Sequence, residues 1–257
     1  MSTKPIGIFD SGVGGTSIWK EIHKLLPNEN TIYLADSINA PYGPKGKNTI
    51  IDLSIKNTDF LLDKGAKLIV VACNTATTSA IDYLRNHYDI PFIGIEPAIK
   101  PAALKTQTGA IGILATKGTL SSELFSRTSS LFASNIKVIE QNGDGIVELI
   151  ESGKLYSNEM KALLLTYLKP MIEANIDYLV LGCTHYPYLI PLLIDLTPNN
   201  IKIIDSGAAV AKQCKAILEK YRLINNLNSV ANFEFYTTGS SNVLASLVNE
   251  NVVIQKI

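Results

Sequence analysis

The sequence offers little material for a metal site or a disulfide framework. Its three cysteines, Cys73, Cys183 and Cys214, are widely spaced, with no CxxC pair and no Cys/His cluster, so neither a zinc centre nor a set of bridges is expected. An excess of either charge is also absent. Lys and Arg total 23 against 23 Asp and Glu, with no basic or acidic run, which argues against nucleic acid or an anionic membrane surface as a partner. Arginine is scarce, at Arg85, Arg127 and Arg222 only, and none stands beside the polar motifs below. An anionic ligand would therefore be held by backbone amides and hydroxyls rather than guanidinium forks. No apolar stretch is long enough to span a bilayer, and Met1-Ser2-Thr3-Lys4-Pro5 leads into an apolar strand without the h-region of a signal peptide. A soluble, cytoplasmic protein is expected. At 257 residues and 46% hydrophobic content, the chain can build one large domain or two of ordinary size.

What is present centres on Val70-Val71-Ala72-Cys73-Asn74-Thr75-Ala76-Thr77-Thr78. A β-branched run ends in small residues, then a thiol, then amide and hydroxyl side chains that open a helical pattern. This reads as a buried strand meeting a helix N-terminus, with the helix itself from Thr77 to about Asn86. In open α/β sheets that edge binds ligands, and the N–H groups of a helix start lower a cysteine's pKa. The pattern recurs at Tyr178-Leu179-Val180-Leu181-Gly182-Cys183-Thr184-His185-Tyr186-Pro187. Two thiols on matching turns suggest a reaction that needs an acid and a base of the same kind.

The rest of the chain alternates strand and helix, which predicts α/β architecture with mainly parallel sheets. Ile6-Gly7-Ile8-Phe9 is a strand stopped by Asp10-Ser11-Gly12-Val13-Gly14-Gly15, where the backbone must turn tightly or come close to something. Ala40-Pro41-Tyr42-Gly43-Pro44 is a rigid turn expected to project a tyrosine, and Gly65 is expected to end a helix begun near Thr49. After Glu96-Pro97 the pattern restarts: Ile111 to Thr119 echoes the first strand and turn, followed by a helix to about Leu131, and Asp205-Ser206-Gly207 repeats the Asp-Ser-Gly motif. Two similar α/β domains follow from this, residues 1–97 with 208–257 and residues 98–207, with a site in the cleft between them. The tail, with a surface loop at Asn225–Ser229 and strands at Phe233–Thr237 and Val252–Ile257, is expected to complete the first sheet.

Each motif also has an ordinary explanation. A cysteine after a buried strand is by default inert core, and Cys214, in an apolar helical pattern, is read as a packing residue. Asn74 and Thr75 could be first-turn capping residues, His185 a satisfied histidine, and Glu151 an exposed helix end. The Asp10–Gly15 turn matches neither phosphate-binding glycine signature, and its acidic residue suits an amine or a thiol better than a phosphate. The pairing of two thiols, with His185 two residues beyond Cys183, weighs against the ordinary explanations taken together.

The set Asp10-Ser11-Gly12-Val13-Gly14-Gly15, Pro41-Tyr42-Gly43, Ala72 to Thr78 and Gly182 to Pro187 resembles bacterial glutamate racemase, in order and spacing, from about residue 6 to the Asp205-Ser206-Gly207 turn and its helix. The resemblance implies a cofactor-independent enzyme interconverting L- and D-glutamate and supplying D-glutamate for peptidoglycan, built as two α/β domains and usually a homodimer. It implies catalytic thiols at Cys73 and Cys183, assisted by Asp10, His185 and Glu151. Substrate contacts are implied at Asp10, Ser11, Tyr42, Gly43, Asn74, Thr75, Thr184 and His185, with Thr116 a further candidate. Some members carry an N-terminal extension and respond to a cell-wall precursor; this chain starts at its first strand, so that response is not expected.

Such chemistry removes the α-proton from one face of carbon and returns one to the other, so it needs two acid/base groups in opposite protonation states. Without a lysine in a recognisable Schiff-base motif, pyridoxal phosphate is not expected, and carbanion character must be offset by preorganised donors and exclusion of water. The alternatives are an aspartate or other amino-acid racemase of the same superfamily, or a non-catalytic protein closing on a dicarboxylate. A cysteine hydrolase would leave one thiol superfluous. Thr184-His185, rather than Thr-Glu, favours glutamate.

Overall fold

The computed structural model describes residues 2–227, 230–248 and 252–257. The apolar runs of the first part become β1 (Ile6–Asp10), β2 (Thr31–Ala35), β3 (Leu68–Val71) and β4 (Phe92–Gly94). Between them run α1 (Thr16–Leu25), α2 (Lys47–Asp63) and α3 (Asn74–His87). The second part gives α4 (Ile99–Lys105), β5 (Ala110–Ala115), α5 (Lys117–Leu120), α6 (Glu123–Phe132) and β6 (Lys137–Asn142). It continues through α7 (Ile146–Glu151), α8 (Asn158–Glu173), β7 (Tyr178–Gly182), α9 (Ile190–Leu196) and β8 (Lys202–Ile204). The tail adds α10 (Gly207–Lys220), β9 (Phe233–Thr237), α11 (Ser241–Val248) and β10 (Ile254–Lys256).

These strands form two sheets, in the orders β10-β9-β2-β1-β3-β4 and β6-β5-β7-β8, and every strand pair is parallel. Strands β1, β2, β3, β5 and β7 are buried along their whole length. That is the condition under which a strand reads as a continuous apolar run rather than an alternating one. The result is two α/β lobes. β9 joins the first sheet beside β2, where Phe235 meets the Trp19 ring of α1 edge-on at 4.9 Å.

Several boundaries differ from the sequence reading. The helix after Cys73 begins at Asn74, three residues earlier than expected, because the Cys73 sulfur itself takes the capping place and accepts from the Ala76 N–H. The single helix expected up to Leu131 is two, α5 and α6, with Ser122 capping the second by accepting from Phe125 N–H. Cys183 is not followed directly by an α-helix: a short 3-10 turn, Tyr186–Leu189, precedes α9. Gly65 does close α2, at φ +83°, a conformation glycine adopts without a Cβ penalty. Cys214 is buried in α10 within the core.

The expected surface loop at Asn225–Ser229 is partly structural, although 228 and 229 lie outside the described residues. Asn225 is buried; its N–H donates to Glu29 and its side chain to the Asn28 carbonyl. Glu29 in turn pairs with Lys67, whose ammonium also donates to the carbonyls of Ser2 and Leu223. A buried ion pair is tolerated when its remaining hydrogen-bonding capacity is used in this way, and removal of one partner strands the other. Lys67→Met is therefore expected to lower stability by about 3–5 kcal/mol in urea unfolding. A loss within experimental scatter would show that this pair does not anchor the tail.

Candidate active site

The two cysteine turns lie at the carboxyl ends of β3 and β7, in different sheets, and both thiols line one small cavity. Its wall includes Ser11, Tyr42, Gly43, Asn74, Thr75 and Thr116, together with Thr184 and His185. The space amounts to about 10 Å³, room for a single water and too small in this closed form for an amino acid. A larger cleft of about 690 Å³, lined by Lys45, Lys47, Arg85, Lys117 and Arg127 among others, shares Gly43 with it but holds neither thiol.

The seam between the lobes is dense in polar contacts. Asp10, at the end of β1, is fully buried; it accepts from Gly15 N–H at 2.7 Å and from the Thr184 hydroxyl of the other lobe at 3.4 Å. Ser17 donates to the Thr184 carbonyl at 2.8 Å, and the hydroxyls of Thr16 and Tyr188 lie 2.6 Å apart. On the opposite side, Thr75 and Thr116 hydroxyls meet at 2.9 Å, with Thr119 continuing the chain at 3.0 Å.

Cys73 donates its thiol proton to Ser11 Oγ at 3.6 Å. The helix start was expected to lower its pKa, but the balance goes the other way. Burial pushes the thiol well above its ordinary value, the Asp10 carboxylate adds to the rise, and the Ala76 N–H and Ser11 hydroxyl only partly offset it. One oriented N–H does not repay the loss of water around a sulfur anion. Cys183 stands against His185, Sγ to Nδ1 at 3.7 Å, and the far side of that ring meets Glu151 at 2.6 Å from Nε2 to Oε1. Burial alone would lower the His185 pKa, but Cys183 and Glu151 outweigh it and raise it well above the ordinary value.

Glu151 is the last residue of α7, and instead of facing water as a helix end it points into the seam, 15% exposed. Tyr42 also departs from expectation. Rather than projecting, its ring is buried, its hydroxyl donating to Asp36 at 2.6 Å and accepting from Asn57 at 3.1 Å. The fixed ring leaves the Tyr42–Gly43 segment at the cavity wall. Asn74 stands out at the cavity wall: both side-chain polar atoms are buried without a hydrogen-bond partner among the described residues. Buried amides are almost always paired.

All the residues selected from sequence thus gather at this seam. Residues that were not selected join them, among them Thr16, Ser17 and Tyr188 already described, Thr119, and Ser37, whose hydroxyl donates to Glu151 Oε2 at 3.0 Å. Ser37 follows the carboxyl end of β2, and the rule that ligands bind at that edge would have found it. Among the described residues, no group of three or more His, Cys, Asp or Glu could hold a metal, no lysine lines the cavity, and no helix is long and apolar enough to cross a membrane.

The chain and its fold have counterparts among known proteins. Residues 6–214 match the Asp/Glu/Hydantoin racemase family, and the chain belongs to it. Glutamate racemase of Herpetosiphon aurantiacus is 46% identical over 239 residues, 93% of this chain and 94% of that protein. The crystal structure of Escherichia coli glutamate racemase in complex with L-glutamate and an activator, UDP-MurNAc-Ala, superposes with TM-score 0.88 at 31% identity, covering 99% of this chain and 98% of the other. That of the Francisella tularensis enzyme with D-glutamate gives TM-score 0.85 at 29% identity, covering 100% and 98%.

Asp10 supplies a test that does not depend on activity. Burial, opposed by His185 and the Gly15 N–H, raises its pKa to about 6. A carboxyl that ionises less readily folded than unfolded costs stability as pH rises from its unfolded value through 6, and the penalty is complete above that. The shift corresponds to roughly 3 kcal/mol. Between pH 4 and 7 the wild type is therefore expected to lose more stability in urea unfolding than Asp10→Asn. Parallel pH profiles would refute the assignment.

Proposed function

We propose that the chain is a glutamate racemase that interconverts L- and D-glutamate by two thiols and without an added cofactor. The observation that carries this reading is Cys73 and Cys183 lining one enclosed cavity from opposite lobes, beside a buried and unpartnered Asn74 amide. A thiolate on one side takes the α-proton, leaving the electron pair of the broken C–H bond on carbon. The thiol on the other side gives its proton to the opposite face and becomes the thiolate. One turnover inverts the protonation pattern, and turnover of the product restores it, which is why both groups must be alike.

His185, held between Cys183 and Glu151, assists Cys183 in this reading, and Asp10, whose charge is felt at Cys73, assists on the other side. Asn74, Thr75 and Thr184, with Ser11 and the Tyr42–Gly43 segment, supply neutral donors for the carboxylates, and Thr116 is a further contact. Neutral donors suit this task because they favour the enediolate-like charge without permanently neutralising the base. Lobe closure removes water, which strengthens each of these contacts. The same reading makes the protein a cytoplasmic homodimer that feeds D-glutamate into peptidoglycan and so into cell-wall assembly and cell shape.

Enzyme incubated in heavy water with L-glutamate, and no added cofactor, is expected to place deuterium at Cα of D-glutamate, while aspartate in the same assay is not turned over at a comparable rate. Cys73→Ala and Cys183→Ala are each expected to lower kcat/KM by about 10³-fold or more. Absence of exchange in the wild type, a strict cofactor requirement, or near-normal activity in either variant would overturn the proposal.

A further inference from the structure

Gly12, Val13 and Gly14 of the first-lobe glycine turn are not absorbed by the chemistry just described. The two glycines receive side chains from the other lobe. Gly12 lies against the Glu151 carboxylate so closely that a Cβ there would overlap Oε1. Gly14 lies against the His185 imidazole, and a Cβ would overlap Nδ1 and come within about 2.5 Å of the adjoining ring carbon. Between them Val13 N–H donates to Glu151 Oε1 at 2.6 Å, the same oxygen that His185 Nε2 meets at 2.6 Å. Neither glycine has a positive φ, so close approach, not backbone conformation, accounts for both.

We propose that Gly12–Val13–Gly14 is a positioning element: a seat in the first lobe that fixes the Glu151–His185 pair of the second lobe when the lobes close. His185 reaches Cys183 through Nδ1, so the orientation of the ring decides whether the thiol has a partner. Glu151 sets that orientation from behind, and three donors hold it, of which Val13 N–H and Ser37 Oγ belong to the first lobe. Opening the lobes withdraws both first-lobe donors, so the support of Cys183 becomes complete only around a bound substrate. The glycines leave room for this contact, and no larger residue could occupy either place without displacing the carboxylate or the ring.

The inference rests on the racemase reading for its consequence, but its geometry can be tested without activity. The chain contains three histidines, so the ring protons of His185 can be assigned by NMR with His185→Asn as the control. Gly14→Ala is expected to lower kcat by about a hundredfold, the scale for an ångström of misplacement, with KM changed much less, and to shift or broaden the His185 Nε2 proton. Gly12→Ala is expected to behave similarly and to be non-additive with Glu151→Asp, whose shorter side chain clears the added methyl. Additive losses or an unchanged His185 resonance would overturn the seat.

If the alanine variants do not fold, amide exchange in the native backbone decides. Glu151→Ala is expected to speed exchange at Val13 by about tenfold or more while leaving Ile8 and Phe9 of β1 protected. An unaltered rate at Val13 would refute the proposal. A wild type with a protected Val13 but no racemisation would instead refute the racemase reading and leave the seat standing.

Discussion

Buried polar groups must find partners, and in this protein the polar groups at the carboxyl ends of one sheet find them at the carboxyl ends of the other. Asp10 reaches Thr184, Ser17 reaches the Thr184 carbonyl, Thr16 meets Tyr188, and Val13 and Ser37 hold Glu151. Each contact crosses from one lobe to the other. Parallel sheets place their strand ends on one edge, and turning those two edges toward each other gives a closed chamber. Cys73 is the last position before α3 and Cys183 the first after β7, so the same constraint that closes the lobes sets them on either side of one space.

The electrostatics of that chamber are unequal. Burial and Asp10 push the Cys73 thiol toward its neutral form, whereas Cys183 faces an imidazole whose pKa is raised by Cys183 itself and by Glu151. A chamber in which one thiol resists ionisation and the other faces a basic imidazole suits a reaction that starts with opposite protonation states. The enantiomers of glutamate have equal free energies, so kcat/KM must be the same in both directions. The asymmetry can therefore appear only in how each direction divides between KM and kcat.

Much of this was legible in the sequence because the relevant signals are local. Apolar runs such as Leu68–Val71 and Tyr178–Gly182 identify fully buried strands, and strand–helix alternation fixes the parallel sense. The small polar residues after each thiol mark the sheet edge. Other features depend on contacts distant in sequence. Tyr42 turns inward because Asp36 and Asn57 satisfy its hydroxyl, and Glu151 leaves solvent because Val13, separated from it by 138 positions, supplies an N–H. The direction of the Cys73 pKa is hidden for the same reason: the helix start is visible locally, whereas the burial that outweighs it comes from first-lobe residues scattered from Phe9 to Tyr236. Gly12 and Gly14 likewise reveal the need for close approach in the sequence, but not what approaches.

The central claim is that Cys73 and Cys183 stand on opposite faces of a single substrate carbon. A crystal structure of the enzyme with glutamate bound measures this directly. The account predicts Cα between the two sulfurs, each near the 3–3.5 Å typical of reacting atoms, with the lobes closed and the Asn74 side chain bonded to a substrate carboxylate. Both sulfurs on one face of Cα, or one of them out of reach of it in the closed form, would contradict it.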